Sequence, residues 1–189
     1  MLKKIAISAI IVLVALSQLN AQDSYGQTKT SRDIDVSVGD LMAWFDYMPT
    51  IYNTVKDQVL AESSAPLIVI PIKLRNISQN KKGDEATHII KAYIVLYDSN
   101  DRPKGGFDVT FYLSGKNEED RVQKSEVMMF AGNEYSGQAR TVYGDTPKNW
   151  FLKPEPKPNM QIYAKIVIAI DGFETINFIT KPVKVGVTY

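Results

Sequence analysis

One histidine, two tryptophans and no cysteine set the range of chemistry open to this 189-residue chain. A zinc site of the His and Cys type needs several such ligands converging, and His88 by itself cannot build one. A Ser-His-Asp arrangement through His88 would lack the Gly-x-Ser-x-Gly elbow that commonly presents the nucleophile. His88 precedes a β-rich run and reads as a strand-edge residue with a free face. The acidic residues gather in turn-forming stretches, at Asp98 and Asp101 and at Glu118, Glu119 and Asp120. In solvated loops little would raise one carboxyl to make it a proton donor, which a glycosidase-type pair requires. Read as an EF-type calcium loop from Asp98, the sixth position is Pro103 rather than glycine and the twelfth is Val109 rather than a carboxylate. Gly115-Lys116 lacks the upstream glycine of a phosphate loop. The expectation is a protein that is not an enzyme and holds no metal or cofactor.

Binding is better served. Residues 144–159 form a long loop with four prolines, holding adjacent Trp150 and Phe151 and then Pro154, Pro156 and Pro158 at alternate positions. Loops beyond roughly 12–15 residues are uncommon in compact domains and are often functional. Alternate prolines stiffen a chain into extended geometry. Trp150 and Phe151, with Tyr143 just upstream, are therefore the candidate binding residues. Large aromatics are usually mostly buried, so the competing expectation is that Trp150 and Phe151 fold back and plug one end of the domain.

The elements that must carry these residues follow a short leader. Lys3 and Lys4 precede an apolar run from Ile5 to Leu16, and a polar stretch ends at the small residue Ala21. This is the pattern of a secretory signal peptide, cleaved after Ala21. The apolar run is shorter than the roughly 20 residues of a membrane-spanning helix. Nothing later resembles a second span, so the mature chain, residues 22–189, is expected to be soluble and a single domain. Losing Lys3 and Lys4 takes the basic residues from 22 to 20 against 21 acidic, and the formal charge from +1 to −1. A near-neutral chain has no electrostatic footprint for nucleic acid or anionic lipid. Zero cysteines in an exported chain of this length fit a bacterial periplasm or cell surface. In that setting the sequon Asn76-Ile77-Ser78 is idle.

Residues 22–32 lack periodicity and read as a mobile lead. Ile34, Val36 and Val38 alternate with polar residues, the mark of a half-buried strand. From Asp40 to Ala61, Leu41, Trp44, Phe45, Met48, Ile51, Tyr52, Val55 and Val59 recur at three- and four-residue steps. That spacing predicts an amphipathic helix, broken near Pro49, packing on the domain's own sheet. After Pro66 the period becomes that of strands, over 67–77, 89–97, 107–113, 122–130, 134–142, 160–170, 173–180 and 183–189. Asp171-Gly172 is the strongest hairpin signal, because its turn needs positive φ twice. Eight or so strands at short spacing indicate an all-β antiparallel sandwich, Ig-like or transthyretin-like, with one short helical segment near the N-terminus. The function expected of such a chain is an exported, non-enzymatic envelope module for interaction or assembly with a protein partner. The alternative is a carbohydrate or small-ligand binding protein using the aromatics of the 144–159 loop.

Overall fold

In the computed structural model the described residues are 25–46, 52–53, 58–59, 66–78, 86–115, 121–141 and 150–188. The leader, Tyr143 and much of the expected helical stretch lie outside them. No helix among the described residues is long and apolar enough to cross a membrane.

Two packed sheets account for nearly all of the described chain. The first holds β1 (Gln27–Ser31), β2 (Ile34–Val38), β6 (Leu67–Asn76), β12 (Glu134–Arg140), β9 (Thr110–Ser114) and β10 (Arg121–Lys124), in that order. β3 (Met42–Asp46) lies beside β6, and β17 (Gly186–Thr188) runs parallel to β3. The second sheet has the order β13 (Trp150–Leu152), β8 (Pro103–Asp108), β7 (His88–Asp98), β14 (Gln161–Ile170), β15 (Phe173–Ile179). There β11 (Glu126–Met129) lies beside β7 and β16 (Val183–Lys184) beside β14. A separate short pair, β4 (Tyr52–Asn53) and β5 (Gln58–Val59), is antiparallel. Every pairing except β17–β3 is antiparallel, and the all-β sandwich expected from the spacing of strands is the fold observed.

Strict alternation builds the core. Along β14, Ile162, Ala164, Ile166, Ile168 and Ile170 are buried, and along β7, Ile90, Ala92, Ile94 and Leu96 face them from the neighbouring strand. From the first sheet Ile68, Ile70, Ile72 and Leu74 of β6 close the other side. Each isoleucine or leucine side chain among them taken from water contributes about 1.5–3 kcal/mol.

Three sequence strands are cut because the chain changes sheet. At Val109 the chain leaves β8 in the second sheet for β9 in the first, and the apolar series Phe107, Val109, Phe111, Leu113 stays buried throughout. At Ser125 it returns from β10 to β11, and at Val185 from β16 to β17. At Val109 and Val185 the period of two runs through the crossing unbroken, with the inward positions inward in both layers, whereas at Ser125 the inward positions shift from Val122 to Val127 and Met129.

Two expectations are corrected. The lead is not without structure, for β1 pairs with β2 from Gln27↔Val38 to Ser31↔Ile34. The helix expected over 40–61 is replaced, where the chain is described, by β3, β4 and β5. Leu41, Ala43 and Phe45 are buried while Met42 is exposed, so the segment also carries a period of two. Pairing of Met42–Trp44 with Leu67–Val69 satisfies its backbone from outside, and tertiary context overrides the helical spacing.

Candidate functional site

The 98–106 turn and strand prepare a seat for Trp150 and Phe151. Asp98 Oδ1 accepts from the amides of Asn100 and Arg102, at 2.9 and 3.0 Å, closing the turn. The Arg102 amide bond is the main reason the Asp98 carboxyl lies below the usual range, outweighing its desolvation, with help from Asn100 and Lys104. Past the turn, β8 runs with Gly105 facing inward, as Phe107 does, and Gly106 facing outward. β13 pairs with it at Trp150↔Phe107 and Leu152↔Gly106, with a shift of register between.

The two glycines receive the two aromatics on opposite faces. A Cβ on Gly105 would stand 2.7 Å from the Trp150 ring, and one on Gly106 2.5 Å from the Phe151 ring. Trp150 is 7% exposed, with its ring centre 4.8 Å from that of Phe107. Phe151 is 51% exposed and meets Tyr93 edge-on at 6.1 Å. Of the three sequence candidates, then, Trp150 fills the core, Phe151 stands on the outer face of the second sheet, and Tyr143 lies outside the described residues.

Phe151 has company there. Leu152 is 41% exposed, and the cross-strand pair Met128↔Ile89 is exposed on both members. Between that pair and Tyr93 lies a surface ion pair, Lys91–Glu126, at 2.9 Å. Toward the other end of the strands Tyr97 and Tyr163 stack at 5.3 Å, with Lys165 Nζ 4.3 Å from the Tyr97 ring centre. Tyr163 donates to Asp101 at 2.8 Å, and that bond above all pushes its phenol up to about 12. The outcome is an exposed aromatic and aliphatic face crossing β13, β8, β7 and β11.

The proline segment is strapped beside this region. The Glu155 amide donates to the Lys104 carbonyl at 2.6 Å, and Asn159 to Val185 at 2.9 Å. A groove of about 610 Å³ runs along it, between Phe45, Lys104 and Pro154–Pro158.

A second polar constellation sits at one pole of the sandwich. His88 opens β7 and is 8% exposed, so the free face expected for it is absent. Its Nδ1 donates to Asp171 Oδ2 at 2.8 Å, which fixes the tautomer, while Nε2 is buried without a hydrogen-bond partner among the described residues. Asp171 Oδ1 accepts from the Ile89 amide at 2.9 Å, and Arg32 reaches Oδ2 at 3.5 Å. Partial burial pushes the Asp171 carboxyl up. The bonds from His88 and Ile89 and the nearness of His88 and Arg32 outweigh it, so its pKa lies below the usual carboxylate range. The Asp171 amide also donates to the Ile89 carbonyl at 2.8 Å. This carboxylate clasps the β14–β15 turn, the start of β7 and the β1–β2 turn together.

Nearby, Asn76 is 1% exposed and its amide is fully used. Nδ2 donates to the carbonyls of Ala86 and Met129, and Oδ1 accepts from the Ser78 amide. The sequon asparagine is thus a structural hub whose nitrogen is closed to modification in the folded chain. No cluster of three metal-ligating side chains occurs among the described residues.

No family model and no curated protein matches this sequence. Among solved structures, a Northeast Structural Genomics Consortium target is 13% identical over 84% of this chain and 90% of its own, with a TM-score of 0.34. A DUF4426 family protein from Pseudomonas aeruginosa is 12% identical over 85% of this chain and 94% of its own, with a TM-score of 0.33. The fold assignment rests on this chain's own strand pairing.

Proposed function

We propose that this protein is an exported, non-enzymatic interaction module of a bacterial cell envelope, binding a protein partner through the outer face of its second sheet. The observation that carries the reading is the exposed group of Phe151, Leu152, Tyr93, Met128 and Ile89 on that face. Exposed apolar residues gathered on one face mark contact surfaces, here around the Lys91–Glu126 ion pair, and aromatic residues and methionine are enriched in them. Gly106 supports the same reading, because it leaves the space over which Phe151 lies. The leader supports export to the periplasm or beyond, and N-terminal sequencing of the envelope form should return Gln22.

A photo-crosslinking residue tests the surface. Placed at Phe151 it should capture a discrete envelope protein. Placed at Gln138, exposed on the first sheet, it should capture none. Equal capture at both positions, or none at either, rejects the reading. A second reading, binding of a carbohydrate, is favoured by the contact of exposed Phe151 with Tyr93, since exposed aromatic rings offer stacking area to sugar faces. It rests on Phe151 rather than Trp150, whose ring is buried. Retardation of the protein in polysaccharide gels, lost on Phe151→Ala, would distinguish it.

A further inference from the structure

Sheet edges invite foreign strands, and natural sandwiches blunt them with short strands, lysines, bulges or covers. The short edges here follow that rule. β10 has four residues and two basic ones, Arg121 and Lys124; β13 has three residues and a register shift. β15 follows it only at its start, where its pairing with β14 shifts register between Phe173 and Ile176; from Ile176 to Ile179 its ladder is regular. It is a seven-residue edge, Phe-Glu-Thr-Ile-Asn-Phe-Ile, with one charge and no proline, the composition of a strand that pairs readily.

What blunts β15 is β1, through side chains. Gln27 Nε2 donates to the Ile179 carbonyl at 2.6 Å and Lys29 Nζ to the Asn177 carbonyl at 2.5 Å. Lys29 Nζ also lies 5.2 Å from the Phe178 ring centre, and Arg32 5.0 Å from that of Phe173. Positions fall along β15 as they rise along β1, the order of an antiparallel neighbour. The carbonyls of Asn177 and Ile179 point away from β14, two residues apart, where the amides of an added strand would bond. A side-chain amide and an ammonium group stand in for those amides. The cover itself is slight: β1 is exposed at four of its five residues and is hydrogen-bonded as a strand to β2 alone. Its turn, Arg32-Asp33, holds two non-glycine residues at positive φ, 46° and 62°. Left-handed backbone crowds the Cβ of a non-glycine residue against its own carbonyl.

We propose that β1 is a removable guard over a strand-addition edge, and that the occupant of the uncovered edge is β15 of a second copy of this chain. The sequence favours a second copy because the edge is self-complementary. An antiparallel pairing centred on Asn177, within the regular part of the strand, sets Asn177 opposite itself and Ile176 opposite Phe178, with no charge among them. The pairing is isologous and closes at two subunits. This edge is separate from the outer face proposed above, and either can fail without the other.

The test is self-association of the purified chain by sedimentation velocity. Gln27→Ala with Lys29→Ala removes both donors from the edge. It should lower the dimer dissociation constant at least tenfold relative to the parent. Adding Asn177→Pro should return the chain to monomer, because that amide faces off the edge and the proline leaves the β14 ladder intact. A double variant that associates no better than the parent overturns the proposal, as does a dimer that survives Asn177→Pro. Should the double variant fail to fold, Lys29→Ala alone takes its place, and exchange is read on whichever variant folds. Hydrogen exchange at the amides of Asn177 and Ile179 should slow several-fold as protein concentration rises, with the amides of β10 unchanged. Exchange at those two amides that is independent of concentration overturns the proposal equally.

Discussion

The outer faces of the two sheets are built on opposite plans. On the first, apart from exposed Met42 on β3, polar outward positions engage one another: Lys73 and Arg75 both reach Glu134, at 2.9 and 3.7 Å, and Arg140 lies 3.7 Å over the Tyr112 ring. Thr30 and Asp35 bond across β1 and β2, and Thr28 with Ser37. On the second, Phe151, Tyr93, Met128 and Ile89 stand in solvent with a single ion pair, Lys91–Glu126, among them. One core serves both faces, so its stability does not require the second face to be apolar. A sandwich needs one buried side per sheet, and what the other side carries is free to serve binding.

That contrast can be broken or sharpened by substitution. The largest effect is expected at Trp150, which shares a strand with Phe151 but faces inward. Trp150→Ala should cost about 3–5 kcal/mol of folding stability in chemical denaturation. A change under about 1 kcal/mol would mean the indole does not fill the core.

Asp171 comes next, because it clasps two hairpin turns to the start of β7. Asp171→Asn should cost about 1–3 kcal/mol at neutral pH through lost charge-assisted hydrogen bonds. The pH dependence has a definite sign. The Asp171 carboxyl is lowered in the folded state, so its stabilisation is full above the ordinary carboxylate pKa of 3.8 and is lost as pH falls through the lower folded value. Urea midpoints between pH 5 and pH 2 should fall more steeply for the parent than for Asp171→Asn. Parallel profiles would remove the clasp.

Gly106→Ala should be milder, about 0.5–1 kcal/mol, since the Phe151 ring can swing outward to admit a methyl group. Its diagnostic effect is on the second face, where the Tyr93–Phe151 contact should be lost from the aromatic ring-current shifts. Smallest of all, Phe151→Ala and Glu134→Ala should each change stability by less than about 1 kcal/mol. They should part on binding: loss of Phe151 should weaken partner capture by about 2 kcal/mol, and loss of Glu134 should leave it unchanged. Equal effects of the two would erase the difference between the faces.

Much of the scaffold was legible in the chain. Asp171-Gly172 turns with φ of 56° and 72° between two strands, as its dipeptide dictates, and Ile34–Val38 and Leu67–Asn76 form strands where their alternation places them. The pairing of aromatics with glycines was harder to see. Gly105-Gly106 reads as turn chemistry, and only β8 lying beside β13 reveals that each glycine makes room for one aromatic, on opposite faces. Spacing also placed a helix over 40–61, because apolar residues at three- and four-residue steps can satisfy two periods at once. Residues 41–45 took the period of two when β6 and β17 offered backbone partners.

Sequence by itself determined what is local: the strand period after Pro66, the turns, the inward residues of each strand and the paucity of soft metal ligands. Tertiary structure decided what depends on distant neighbours. His88 meets Asp171 across 83 positions, Lys29 reaches Asn177 across 148, and the chain changes sheet at Val109 and Val185 with its alternation kept and at Ser125 with its alternation shifted by one residue. The reason is physical. A period of two states that one side of a strand is buried, and it is silent on which strand lies beside it and on what the other side meets.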